Sequence, residues 1–249
     1  MKNLLLFVSL LAVSLTANAA TFQGSTSGTF ENPTGPSGMV TSGVGTDHFT
    51  WGEGALTHYT YEYNKVCHGF FCYNTKDKVA QYSDPSSLTY YNTGFNTEVN
   101  QTFVAGYLNF NNGIIYSGTQ AESVDLALTL DFSSPSLFSE TFTYGFSLDN
   151  TVNPEGDSIT FLNSVPTKFL SHEGTDYFFE LTGFGIHTKH GIKLVDEIFL
   201  KEGKDKTVKL LGQFTSMPSA VPLPAAVWLF GSGLMGFIAL RRRAKLQQA

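Results

Sequence analysis

Apolar and polar side chains alternate along residues 124–132, and this two-residue period constrains the fold more strongly than any other feature of the sequence. Successive side chains of a β-strand point to opposite faces, so the pattern predicts a strand with one buried face. The same period returns in residues 103–109, 142–148 and 177–181. The chain is therefore predicted to build its core from strands.

Further short apolar segments follow one another between residues 20 and 220, separated by turn-forming Gly, Pro, Asn and Asp residues. No apolar stripe in this range has the helical period of about 3.6 residues. The sequence thus predicts an all-β fold, an antiparallel β-sandwich or jelly roll that forms a single domain over residues 20–220. Residues 24–43, rich in Gly, Ser and Thr, are predicted to be an irregular lead-in. Additional strands are predicted at residues 48–51, 58–63, 88–91, 159–162, 192–200 and 208–214.

The N-terminal residues carry the three parts of an export signal. Lys2 supplies a positive charge, residues 4–15 form an apolar run, and Ala17 and Ala19 are the small residues that a signal peptidase reads. The run is too short to span a membrane, so residues 1–19 are predicted to be a signal peptide that signal peptidase removes.

The C-terminal residues combine a proline-rich turn, an uncharged apolar run and a basic end. Residues 225–240 contain no charged side chain and rise about 24 Å as a helix, at about 1.5 Å per residue. A membrane core is about 30 Å thick, so the run predicts a transmembrane helix that barely spans and suits a transient hold in the inner membrane. The basic end is expected on the cytoplasmic side.

The order of these three parts is the basis of a family resemblance. Its residues are Val221, Pro222, Leu223, Pro224, Arg241, Arg242 and Arg243. They resemble the PEP-CTERM sorting signal of Gram-negative bacteria, in which the membrane protease exosortase removes the tail near the prolines. The resemblance implies delivery of the body to the cell surface or the extracellular matrix. Leu223 stands where the motif has Glu, and a plain single-pass anchor over residues 221–249 is the alternative.

Separated segments of the body carry a second resemblance. Residues 43–52 read Gly-Val-Gly-Thr-Asp-His-Phe-Thr-Trp-Gly, and residues 103–113 read Phe-Val-Ala-Gly-Tyr-Leu-Asn-Phe-Asn-Asn-Gly. With residues 117–119, 123–132 and 181–185, they resemble the bacterial choice-of-anchor K domain as spaced motifs. The resemblance implies a surface protein, and it carries no assigned reaction.

The body is acidic once its two ends are set aside. All 21 acidic side chains lie within residues 20–220, whereas ten of the 15 basic ones do, which gives a net charge of −11. These residues include no arginine. Nucleic acid and anionic lipid both require basic patches, so the composition argues against them as partners. Neutral sugars, cations and other proteins remain as partner classes, and exopolysaccharide is one candidate.

The chain has two cysteines, Cys67 and Cys72. An exported protein meets an oxidising compartment, and a turn between the two residues lets this spacing close a small loop. The pattern favours a local disulfide that rigidifies a hairpin tip between residues 59–63 and 79–82. A metal site that adds His68 and a redox role are the alternatives.

Trp51 lies in a predicted strand and has two interpretations. In the first, Trp51 and Phe49 fill the core. In the second, Trp51 lies on a concave face and stacks on a sugar ring, while Asp47, His48 and Glu53 supply hydrogen bonds.

The segment from residue 149 to residue 157 is dense in side-chain oxygens. Asp149, Asn153, Glu155 and Asp157 could supply several of the roughly six to eight oxygen ligands that Ca²⁺ takes. The order of ligands differs from that of an EF-hand. A calcium site that staples two strands and a solvated turn both fit this pattern, and no other cofactor is predicted.

No catalytic motif stands out, because the six histidines are scattered and neither His-Glu-x-x-His nor Gly-x-Ser-x-Gly occurs. We therefore predict no catalytic residues and no enzyme activity. The predicted function is that of a non-catalytic structural or adhesive protein at the surface or in the extracellular matrix of a Gram-negative bacterium. A carbohydrate-binding, lectin-like module and a glycan-active enzyme are the alternatives.

Overall fold

The computed structural model describes residues 20–151, 155–162, 165–172, 174–189 and 191–218, and within them it contains sixteen β-strands and no helix. The prediction of an all-β fold is confirmed. In chain order the strands are β1 (Thr21–Thr34), β2 (Thr41–Ser42), β3 (His48–Trp51), β4 (Leu56–His68), β5 (Phe71–Tyr82), β6 (Ser86–Tyr91), β7 (Gly94–Glu98), β8 (Thr102–Asn112), β9 (Ser123–Ser134), β10 (Phe138–Asp149), β11 (Asp157–Phe161), β12 (Thr167–His172), β13 (Thr175–Thr188), β14 (Gly191–Val195), β15 (Glu197–Leu200) and β16 (Lys204–Pro218).

Several predictions for the two ends of the chain fall outside this part of the molecule. The predicted signal peptide (1–19), proline motif (221–224), transmembrane helix (225–240) and basic cluster (241–243) lie outside the described residues. Within the described residues, no helix has the length and apolar character needed to cross a membrane.

Two antiparallel sheets form the body. The first has six strands in the order β15–β11–β10–β9–β1–β7. The second has eight strands, seven of them in the order β12–β13–β16–β8–β6–β3–β2, with β14 paired to β13. Strands β4 and β5 pair with each other in a separate two-stranded sheet.

Aromatic rings fill the space between the two sheets and make the body a sandwich. The rings of Phe22 on β1 and Phe214 on β16 have centroids 4.8 Å apart, and Phe142 on β10 lies 4.9 Å from Phe179 on β13. All four side chains are buried. The apolar members of the two-residue period in β9 are buried as well, as the alternation predicts.

The prediction of an irregular lead-in over residues 24–43 is wrong, because β1 runs through the first half of this segment and pairs with both β9 and β7. Phe22 near the start of β1 and Phe30 in its second half are fully buried. Between them, Gly28 lies so close to Tyr90 that an added Cβ would be 2.9 Å from the ring. Small residues therefore take inward positions where a neighbouring aromatic ring needs the space, and this hides the strand period in the sequence.

The prediction of one strand over residues 192–200 is also wrong. The segment divides into β14, which pairs with β13 of the eight-stranded sheet, and β15, which pairs with β11 of the six-stranded sheet. Asp196 lies between the two strands. A run of apolar residues looks the same in sequence whether or not the chain passes from one sheet to the other, so periodicity could not reveal this change.

One buried tyrosine links the sheets through polar contacts. The Tyr90 hydroxyl on β6 lies 2.7 Å from Thr26 Oγ1 on β1 and 2.7 Å from the Ala105 carbonyl oxygen on β8. Burial raises the pKa of Tyr90 to about 12, although the hydrogen bond with Thr26 lowers it. The phenol therefore stays protonated in the folded state at pH values where an unfolded chain releases the proton.

We expect this difference to weaken the fold at alkaline pH. The stabilisation is fully present below the unfolded pKa of 10.0 and is lost as the pH rises to about 12. Over that interval the free energy of unfolding should fall by roughly 2 kcal/mol more in the wild type than in Tyr90→Phe, because only the wild type has the titrating phenol. Urea unfolding measures this, and Tyr91→Phe, at an exposed neighbour, is the matched control. If the free energy of unfolding falls equally in Tyr90→Phe and Tyr91→Phe over this interval, the alkaline loss of stability does not come from Tyr90.

Candidate functional site

Strands β4 and β5 form a long hairpin that leaves the sandwich, and we call residues 56–82 the arm. The two strands pair along their whole length, from Leu56 opposite Tyr82 to His68 opposite Phe71. At about 3.3 Å per residue, the arm is roughly 40 Å long. Its base is held where the Leu56 N–H donates to the Tyr116 hydroxyl at 3.3 Å.

A disulfide closes the tip of the arm. The predicted bond between Cys67 and Cys72 is confirmed, and the two residues face each other across the strands. Gly69 adopts a φ of 63°, a left-handed conformation that suits the turn. Phe70 and Phe71 are 103% and 83% exposed. The tip thus presents two phenylalanine rings to solvent on a covalently closed loop.

One face of the arm is aromatic and cationic. Because cross-strand partners and alternate residues share a face, this cationic face comprises Tyr59, Tyr61, Tyr63, Lys65, Lys76 and Lys78. Lys78 Nζ lies 3.6 Å from the centroid of the Tyr59 ring, and Lys76 Nζ lies 3.9 Å from that of Tyr61. Both distances are within the range of cation–π attraction, which holds the two ammonium groups along the arm.

The acidic residues of the arm lie on its other face. Glu62 and Asp77 are cross-strand partners there, and Asn64 Nδ2 donates to Asp77 Oδ2 at 3.0 Å. The cationic face therefore has three lysines and no carboxylate. The spacing of Tyr at every second position in residues 59–63 is a sequence signal for this face.

A groove of opposite charge lies on the six-stranded sheet. Glu122, Asp149 and Glu197 line it, and no lysine among the described residues does so. Ser158 also lines it, and Phe199, which is 54% exposed, is the cross-strand partner of Ser158. We call this surface the acidic groove, with Phe199 at its border.

A pair of carboxyl groups lies beside the groove, in a cavity of about 150 Å³ lined by Asp157 and Glu202. Asp157 is 3% exposed and accepts a hydrogen bond from the Thr151 N–H at 2.8 Å. Burial raises the pKa of Asp157, and the Asp149 carboxylate raises it further. Burial raises the pKa of Glu202 to about 7, the Asp157 carboxylate adds to this, and a hydrogen bond with Asn112 opposes it.

The structure brings part of the predicted calcium ligand set together. Asp149 and Asp157 are close enough for their charges to interact, whereas the side chain of Glu155 is exposed. Asn153 lies outside the described residues. Glu202, which comes from the turn before β16, is the nearby acid that sequence spacing could not find. No group of three or more His, Cys, Asp or Glu side chains suited to a metal occurs among the described residues, and calcium binding stays a prediction.

Trp51 lies in the core. Its side chain is 1% exposed and stacks with Phe49 and with Phe110, whose ring centroids lie 5.7 Å and 6.1 Å away. Its Nε1–H donates to Asn150 Oδ1 at 2.9 Å. The buried indole corresponds to the core interpretation and leaves no ring face accessible to a sugar.

Comparison with known families gives a match at the C-terminal end of the chain. The model of the PEP-CTERM protein-sorting motif matches residues 220–243. The resemblance seen in residues 221–224 and 241–243 is thereby confirmed. The motif marks the chain as an exported protein that passes through the membrane toward the cell surface and is processed by exosortase. No curated protein matches the chain.

We expect the disulfide to stabilise the arm locally. Replacing both cysteines with Cys67→Ser and Cys72→Ser should speed chymotrypsin cleavage at the tip several-fold, because the open loop samples more conformations. The thermal midpoint of the body should stay close to that of the wild type, since the exposed arm opens without the core. Limited proteolysis and calorimetry measure the two effects, and chemically reduced wild-type protein is the control. A large decrease in the thermal midpoint of the double variant would show that the disulfide at the tip stabilises the core as well.

The carboxyl pair predicts a second pH dependence. The stability that the protonated Glu202 contributes is fully present below its unfolded pKa of 4.5 and is lost as the pH rises to about 7. Glu202→Gln removes the titrating group, so its thermal midpoint should fall less over this interval than that of the wild type. Glu140→Gln, at an exposed position on β10, is the control. Identical pH profiles for the wild type and Glu202→Gln would contradict the raised pKa of Glu202.

Proposed function

We propose that the processed body serves as a non-catalytic structural or adhesive protein at the cell surface or in the extracellular matrix of a Gram-negative bacterium. The match of residues 220–243 to a sorting motif carries this proposal, because it assigns the chain to an export route that ends outside the inner membrane. The filled aromatic core suits a structural protein that keeps its shape. The projecting arm suits contact with other molecules. In this proposal the inner membrane is a transient stop, and exosortase removes the tail.

The proposal includes the resemblance to the choice-of-anchor K domain. Three glycines in the segment 43–52 that carries it, Gly43, Gly45 and Gly52, all have φ between 76° and 82°. An added Cβ at Gly43 would lie 1.8 Å from the carbonyl oxygen of His48. Glycine at these three positions thus has a backbone reason, which supports the resemblance of the segment to the glycine-containing motif of that domain.

Carbohydrate binding is the second candidate, and it rests on the arm rather than on Trp51. Tyr59, Tyr61 and Tyr63 are 45–67% exposed on one face, and exposed aromatic rings beside hydrogen-bonding groups suit sugars. A glycan-active enzyme requires two carboxyl groups roughly 5–10 Å apart across a cleft. Asp157 and Glu202, which line one cavity, are the carboxyl pair that such a site would use.

The proposal can be tested in the native host. Pro222→Ala combined with Pro224→Ala should block processing, so that the full-length chain accumulates in the inner membrane and disappears from the surface fraction. Leu223→Glu, which restores the residue of the motif, is the matched variant and should be processed at least as well as the wild type. Mass spectrometry of the C-terminus in each fraction provides the measurement.

A role in adhesion or in the matrix requires a further readout. Deletion of the chain should reduce cell aggregation or attachment, and the wild type should restore it, whereas the double proline variant should not. Normal attachment in the deletion strain, with correct sorting of the wild type, would refute the structural role and leave the export route intact.

A further inference from the structure

We propose that the arm of one copy of this chain binds the acidic groove of a second copy. The inference rests on the proposed structural role and supplies its contact: a projecting cationic and aromatic hairpin on one molecule and an anionic groove on the next. The two surfaces lie on different parts of the same chain, so each molecule can both donate and accept.

The arm, which is the donor surface of this contact, exposes many large apolar side chains to solvent. Eight of the twenty large hydrophobic side chains that are exposed in the described residues belong to the arm. Phe70 and Phe71 at the tip are almost completely exposed, and the disulfide keeps them presented. Exposed apolar patches of this kind are typical of contact sites, and an ordered tip loses little conformational entropy on binding.

The charges of the arm and of the sandwich favour a second copy of this chain as the partner. Three of the ten lysines of the body lie on the cationic face of the arm, which has no acid. The remainder of residues 20–220, without the arm, has seven lysines and 19 acidic side chains, a net charge of −12. The sandwich of another copy is therefore a surface to which the arm is attracted. Complementary potentials of this kind guide encounter and set the register of a complex.

The acidic groove supplies the matching acceptor. Glu122, Asp149 and Glu197 offer three carboxylates to the three lysines of the cationic face. Phe199 at the border of the groove is 54% exposed and offers an apolar contact to the tyrosine rings of the cationic face. Charged and apolar groups thus lie together on the acceptor, as they do on the donor.

The arm and the groove of one molecule belong to different sheets. The strands on either side of the arm in the chain, β3 and β6, are in the eight-stranded sheet, whereas the groove lies on β10, β11 and β15 of the six-stranded sheet. The side chain of Phe70 at the tip is fully exposed, so its ring is not packed against its own sandwich. A contact between two different patches joins copies either as a reciprocal pair or as a growing chain.

Sedimentation velocity of residues 20–220 over a wide concentration range tests the inference. These residues contain the whole core, which extends from Phe22 to Phe214. We expect concentration-dependent self-association that weakens with added salt. Reversing the charge of the arm with Lys65→Glu, Lys76→Glu and Lys78→Glu should weaken it by about tenfold or more. The matched control, Lys193→Glu, Lys204→Glu and Lys206→Glu, makes the same change of net charge on exposed residues of the eight-stranded sheet.

Mixing variants makes the test specific to this pair of surfaces. Glu122→Lys with Glu197→Lys in the groove should also weaken self-association about tenfold or more. An equimolar mixture of the arm variant and the groove variant should associate again, because each reversed surface then meets an opposite charge. Circular dichroism and the thermal midpoint confirm that both variants are folded.

The remaining outcomes overturn the contact. A body that stays monomeric at all concentrations, or that associates equally well in the arm variant and the control, refutes it. Binding of the arm to polygalacturonate, lost in the arm variant while self-association persists, would assign the arm to an anionic polysaccharide instead. A monomeric body that is still processed and required for attachment in the host would refute the contact and leave the proposed function standing.

Discussion

The layer of aromatic rings between the two sheets is the contact on which the rest of the molecule depends. Phe214 of the eight-stranded sheet packs against Phe22 of the six-stranded sheet, and Phe142 packs against Phe179 in the same way. Each buried ring removes a large apolar area from water, and edge and stacked pairs add to that gain. Trp51 belongs to this layer, which explains why its indole is unavailable at the surface.

A rigid sandwich of this kind can carry a hairpin that contributes little to the core. The arm has an almost fully exposed surface, and its order comes from its own backbone hydrogen bonds, the disulfide at Cys67 and Cys72, and lysines placed over tyrosines. A segment that is ordered without being buried is suited to contact other molecules. In an exported protein, the disulfide also lies in the compartment that preserves it.

Burial in this fold also changes the protonation of two carboxyl groups, those of Asp157 and Glu202. The fold places them in one small cavity beside the acidic groove, and their pKa values rise because water is excluded and their charges repel. This pair of carboxyl groups therefore contributes less to stability near neutral pH than at mildly acidic pH. Most acidic side chains lie on the sandwich. On the cationic face of the arm, every charged side chain is a lysine.

The sequence by itself determined the local properties of the chain: the strand period of residues 124–132, the disulfide loop and the sorting motif of residues 220–243. Each depends on neighbouring residues, and local spacing reveals such features. Tertiary structure alone decided which sheet each strand joins, as in β14 and β15, and why small residues in β1 face a tyrosine ring. It also brought Glu202 to Asp157 and assembled the acidic groove, since groups far apart in sequence meet through folding and leave no local pattern.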